Sequence, residues 1–120
     1  MSEMIKDPET YIPLSAAVFN ILLALADGDK HGYGIMLEVE ANTGGQVNMG
    51  PGTLYGSIKR MLKSGFICES DERPDPDLDD QRRRYYGLTE LGRKVLLAES
   101  QRLVNQVAVV QRKNVFESTG

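Results

Sequence analysis

The sequence predicts a mainly α-helical fold with a two-stranded hairpin and a long last helix left over for association with a second copy. Three observations predict it. Apolar residues recur at helical spacing in segments bounded by Gly, Pro, Asp and Thr signals. Two short β-type runs, residues 66–70 and 82–88, flank a polar stretch rich in Pro and Asp. After Thr89 an apolar stripe continues well beyond the length a small core can cover.

Each element follows in order. Residues 1–12 show little periodicity and read as a flexible N-terminal arm. Pro13 suits the first turn of a helix, where its missing N–H loses nothing. Leu14, Ala17, Val18, Ile21, Leu22 and Leu25 then form one apolar face, and Asp27-Gly28-Asp29 stops the helix. A second helix is expected after Asp29, which would cap it, through about Asn42; Gly32 and Gly34 permit close packing at its start, and Thr43-Gly44-Gly45 ends it. Gly50-Pro51 opens a third helix that reaches about Ser64, with Leu54, Ile58, Met61 and Leu62 as its buried stripe and Gly65 as its stop. In the hairpin, Tyr86 and Leu88 fall on one face and Tyr85 on the other. Thr89 caps a final helix to about Lys113, and residues 114–120 read as a tail. Three short helices followed by a two-stranded wing are the parts of a winged helix-turn-helix, here residues 13–88, with residues 89–113 as a C-terminal dimerisation helix.

Charge bears on the partner. The chain of 120 residues has a net charge of −3 and a sequence pI near 5.1, which by itself argues against nucleic acid. Its distribution is uneven. Carboxylates crowd into residues 71–80, while cations gather at Lys59, Arg60 and Lys63 and at Arg82, Arg83 and Arg84. A phosphate responds to the local field, which salt screens over about 8–10 Å. Apolar runs are too short for a membrane span, the start lacks a signal peptide's pattern, and Cys68 is the single cysteine, so a cytoplasmic protein without membrane contact is expected. One histidine, His31, and one cysteine cannot build a zinc site of usual spacing, and Gly32 and Gly34 follow a helix stop and no strand, unlike a dinucleotide fingerprint. Neither a cofactor nor an enzyme is expected; His31 reads as a packing or capping residue of the second helix.

On a helical wheel of about 100° per residue, Ile58, Met61 and Leu62 stay within roughly 80° of Leu54, while Gly56, Lys59, Arg60 and Lys63 fall on the opposite arc with Tyr55 and Ser57 flanking. Small residues let a helix approach the floor of the major groove, and Lys or Arg can neutralise phosphates or reach guanine edges. Tyr55 offers a hydroxyl to a phosphate. The candidate DNA-binding set is Asn48, Thr53, Tyr55, Ser57, Lys59, Arg60, Lys63, Arg82, Arg83 and Arg84. The same features admit plainer readings: a solvated cationic helix face, and arginines paired with Asp77, Asp79 and Asp80 of the loop.

Three segments, His31-Gly32-Tyr33-Gly34-Ile35, Gly50-Pro51-Gly52-Thr53-Leu54-Tyr55 and Arg84-Tyr85-Tyr86-Gly87-Leu88-Thr89-Glu90-Leu91-Gly92, resemble the PadR family of transcriptional regulators in content, order and separation. The similarity spans residues 14–98, and the single helix after the wing is similar to the family's shorter subtype. The resemblance implies a dimeric winged-helix repressor of cytoplasmic double-stranded DNA, its third helix and wing on an inverted-repeat operator, with Tyr55 and its basic neighbours on the DNA surface. It also implies room for a small hydrophobic or aromatic effector near the dimer interface, for which Tyr11, Phe19 and Phe116 are rings at hand. The chain departs from the family at Gly50, where serine often caps the helix, and in its acidic wing loop.

The final helix carries Leu96, Ser100, Leu103, Val107 and Val110 at spacings of 4, 3, 4 and 3, widened by Leu97, Val104 and Ala108. Leu91 and Val95 are expected to pack on the chain's own first helix; Leu96, Leu103, Val104, Val107 and Val110 are the candidate homodimer seam. A winged-helix module that binds another protein remains the alternative.

Overall fold

In the computed structural model, residues 7–70 and 84–118 are described. A short 3-10 helix, Pro8–Tyr11, comes first, followed by α1 (Ala16–Ala24), β1 (Lys30–His31), α2 (Gly32–Asn42), α3 (Pro51–Ser64), β2 (Ile67–Ser70), β3 (Tyr85–Leu88), α4 (Glu90–Arg112) and α5 (Val115–Ser118). The described strands form one antiparallel sheet in the order β1-β3-β2.

Residues 8–12 are not a loose arm. Tyr11 sets its ring edge-on to Phe66, with centroids 4.9 Å apart and planes at 87°, and Tyr11 and Ile12 pack against the core. Residues 1–6 of the expected arm lie outside the described residues. The first helix opens at Ala16 and not at Pro13, because Ser15 supplies the acceptor that an open helix end needs: its Oγ accepts from the Val18 N–H at 3.2 Å. At its far end the Lys30 ammonium donates to the Ala24 carbonyl and to Asp27, both at 2.7 Å, so this cation is used inside the chain.

The second helix begins at Gly32, two residues later than a cap at Asp29 would place it. His31 is the cap, its Nδ1 accepting from the Gly34 N–H at 3.0 Å. Lys30 and His31 meanwhile pair with Tyr86 and Tyr85 as a third strand; Tyr86 is buried in the core, and Tyr85, also buried, has the His31 ring edge-on to it at 5.3 Å. Asp29 is drawn to the same strand: its carboxylate occupies the space a Cβ on Gly87 would need.

The third helix ends as expected. Gly65 takes a left-handed φ of 84°; its N–H donates to Leu62 and that of Phe66 to Met61, a Schellman closure that turns the chain into β2. Thr89 then ties the sheet to the last helix. Its Oγ1 accepts from the Gly92 N–H at 3.0 Å and donates to the carbonyls of Gly65 and Phe66. Gly92 is where α4 crosses the Phe66 carbonyl, so closely that a Cβ there would overlap it. The core joins Ile21, Leu22 and Leu25 of α1, Ile35 and Val39 of α2, Leu54, Ile58 and Met61 of α3, Phe66, Ile67 and Tyr86 of the wing, and Val95 and Leu96 of α4. Beyond α4, Asn114 adopts a φ of 56°, a conformation asparagine tolerates, and α5 replaces the start of the expected tail.

Candidate nucleic-acid interface

The interface grows from α3. Gly50 leaves the helix start without a side-chain cap, and Pro51 begins the first turn. The buried stripe fills with Leu54, Ile58 and Met61, each at most 2% exposed, so the opposite face has to look outward. Thr53, Tyr55, Lys59, Arg60 and Lys63 are exposed there, and Asn48 is exposed in the segment before the helix. Among the described residues, neither Lys59 nor Lys63 forms an ion pair. The face therefore presents uncommitted positive charge, as a polyanion requires.

Ser57 is a correction. Placed with the DNA-facing residues from sequence, it is 1% exposed, and its Oγ accepts a hydrogen bond from the Arg60 guanidinium at 3.2 Å. It lies only about 60° from Leu54 on the wheel, on the shoulder of the buried stripe, and cannot reach a nucleic acid itself.

Tyr55 is half exposed and held in place by a glycine. Its ring and hydroxyl occupy the space a Cβ on Gly32 would fill, so the first residue of α2 acts as the seat for the Tyr55 ring. The Tyr86 hydroxyl is pushed above its ordinary range by burial first and then by neighbouring Glu69 and Tyr55, with Arg84 opposing. Those causes draw Tyr55 of α3 and the wing into one neighbourhood. Sequence signalled a close approach at Gly32 without naming what approaches.

Of the three wing arginines, Arg82 and Arg83 lie outside the described residues, as do Asp77, Asp79 and Asp80. Arg84 is exposed just before β3 and pairs with Glu69 of β2 at 2.9 Å. Both partners are at least half exposed (69% and 50% of their side chains), so the pair is a weak surface contact that a phosphate can displace.

The seam residues divide. Leu96 is buried in the chain's own core, which corrects its placement at a dimer interface; Val95 lies in the same core and Leu91 packs against it. Leu103, Val104 and Val107 are exposed and Val110 is half-buried. At the border between the two stretches stands a residue sequence reading passed over. Glu99 is 2% exposed, and its carboxylate accepts from Arg102 at 2.7 and 3.0 Å and from the Leu14 N–H at 3.0 Å. The Arg102 hydrogen bonds hold its carboxyl below the usual range against the opposing effect of burial, helped by the Leu14 N–H. A Glu–Arg pair at i, i+3 was visible in the sequence; its burial was not. Among the described residues, no group of three or more His, Cys, Asp and Glu could hold a metal ion, and no helix is long and apolar enough to cross a membrane.

Comparison with known proteins adds to this geometry. The model of the PadR-like family of transcriptional regulators matches residues 21–98. An uncharacterized 37.1 kDa protein in transposon TN4556 of Streptomyces fradiae is 35% identical over 80 residues, 67% of this chain; the chain spans 21% of that protein's length. Among solved structures, RosR of H. salinarum in its S4 complex superposes with a TM-score of 0.69 at 23% identity, covering 94% of this chain and 92% of that one. A PadR family transcription regulator of Clostridium difficile gives 0.66 at 23% identity, covering 82% and 97%. At such identities the likeness speaks to the fold.

Proposed function

The chain belongs to the PadR-like family of transcriptional regulators, and on that premise we propose that it is a sequence-specific duplex-DNA-binding regulator, a repressor working as a homodimer in the cytoplasm. In this reading α3 enters the major groove of each half of an inverted-repeat operator, and the wing lies along the backbone beside it. The observation that carries it is the outward face of α3, where Thr53, Tyr55, Lys59, Arg60 and Lys63 stand exposed opposite the buried Leu54, Ile58 and Met61. Asn48, exposed ahead of the helix, and Arg84, exposed before β3, join this set, and Arg82 and Arg83 are added to it from the sequence alone. Lys59 and Lys63 supply phosphate neutralisation, the N-terminal turn of α3 adds backbone N–H groups, and Tyr55 presents a hydroxyl at the edge.

The exposed apolar half of α4, Leu103, Val104 and Val107 with half-buried Val110, supports a two-fold partner. Symmetry then sets two α3 helices about 34–36 Å apart, one turn of DNA. A small hydrophobic or aromatic effector that favours another dimer geometry would release the operator. The test is to mix the purified protein with sheared genomic DNA, recover the bound fragments and sequence them. An enriched palindrome is expected. Recovery without any enriched site would favour the reading in which these surfaces meet another protein.

A further inference from the structure

The outward face of α3 is not uniform in what its cations can reach. Lys59 and Lys63 extend from the helix without a partner among the described residues. Arg60 is different: one guanidinium nitrogen, Nη2, donates to the buried Ser57 Oγ at 3.2 Å, and the other, Nη1, lies 3.6 Å from where a Cβ on Gly56 would stand. The side chain therefore folds back toward the N-terminus of its helix, the direction a helical side chain favours, and lies over Gly56. On the wheel the Arg60 Cα is at the edge of the outward face, about 240° from Leu54, whereas Gly56 is near its centre, about 200°. Folding back sets the guanidinium between Ser57, at about 300°, and Gly56, so that Nη1 borders the central line while Nη2 is held at the shoulder of the buried stripe.

Gly52 and Gly56 stand one turn apart on that central line. Between them they form the lowest part of the helix surface, where a base edge can come nearest. A guanidinium carries five N–H donors in a planar fork; the Ser57 contact uses one nitrogen and fixes the plane, leaving donors to spare. A pre-oriented fork loses less freedom when it engages a planar acceptor pair than a free lysine does. Such an acceptor pair is the O6 and N7 of guanine.

We infer that Arg60, positioned by Ser57 and laid over Gly56, reads a guanine in each half-site, while Lys59 and Lys63 hold phosphates. The inference rests on the proposed DNA-binding function and assigns its specificity. Ser57 is a positioning residue that acts through Arg60.

The test uses duplexes carrying the palindrome recovered from genomic DNA and variants with each base pair replaced in turn, with affinities measured at several salt concentrations. Wild type should lose roughly 5- to 150-fold when one symmetric guanine is replaced. Arg60→Ala should bind the original and the guanine-replaced duplex equally, and Ser57→Ala, checked by thermal melting to be folded, should reduce the preference while leaving the salt slope unchanged. Arg60→Gln should turn the preference toward adenine at that position. The inference is overturned if Arg60→Ala weakens all duplexes alike and flattens the salt slope by about one, which marks a phosphate contact and leaves the DNA-binding reading intact. It is also overturned if Ser57→Ala keeps the full preference. A wild-type protein that binds no duplex ends both readings.

Discussion

The third helix and the outer half of the fourth are both amphipathic, yet they leave opposite faces uncovered. The chain's own core covers the apolar side of α3, with Leu54, Ile58 and Met61 at 1–2% exposure and Leu62 partly buried against it, and what remains outside is Tyr55, Lys59, Arg60 and Lys63. In α4 the core covers Val95, Leu96 and Glu99 and then runs out: Leu103 is 36% exposed, Val107 47% and Val104 60%. A face whose hydrophobic demand is met can present charge to a charged partner. A face whose demand is unmet needs another apolar surface. The two surfaces therefore suit chemically unlike partners, the proposed DNA at α3 and the proposed second copy at α4.

Substitutions in either helix test this contrast. The largest effect is expected where α4 leaves the core. Val107→Asp puts a carboxylate in the uncovered stripe, and sedimentation should find the protein shifted toward monomer, with operator affinity down by roughly 100-fold or more as the second half-site contact is lost. A variant that sediments as a dimer would remove Val107 from the seam. Next comes the point where α4 is bound to the body. Gly92→Ala drives a methyl into the Phe66 carbonyl, and thermal melting should register a loss of roughly 2–3 kcal/mol; an unchanged melt would mean α4 does not sit as described.

Glu99 marks the border between the covered and uncovered stretches, and its effect is smaller. Glu99→Ala leaves the Leu14 N–H and Arg102 without their acceptor, at roughly 1–3 kcal/mol. The pH dependence has a defined sign. The carboxyl is held below its ordinary value of 4.5 in the folded chain by Arg102 first and Leu14 later, against burial. Its contribution is therefore complete above the unfolded value and lost as pH falls through the folded one. In Glu99→Gln the fall of the melting temperature below about pH 4.5 should be shallower than in wild type. Parallel acid limbs would show that Glu99 does not carry this linkage.

Much of this architecture was legible because its signals are local. Gly50-Pro51 and Gly65 bracket α3 to the residue, and Thr89 marks the start of α4. The features that were not legible depend on distant partners. The third strand is two residues long and exists only through its pairing with Tyr85 and Tyr86; no dipeptide declares such a pairing. Ser57 flanks the outward arc on the wheel, but about 60° from Leu54 it falls on the buried shoulder, where the Arg60 guanidinium can satisfy its hydroxyl. Leu96 and Leu103 share one repeat, and only the position of the body tells which is core. Gly32 shows the converse, a small residue whose meaning became clear when Tyr55 was found lying on it.

If, as proposed, the outward face of α3 neutralises phosphates of duplex DNA, binding must weaken with salt in a defined way. The logarithm of the affinity should fall linearly with the logarithm of the salt concentration, with a slope near −0.9 for each phosphate engaged, and Lys59→Ala should flatten it by about one. Binding indifferent to salt, or a slope unmoved by Lys59→Ala and by Lys63→Ala alike, would contradict the account.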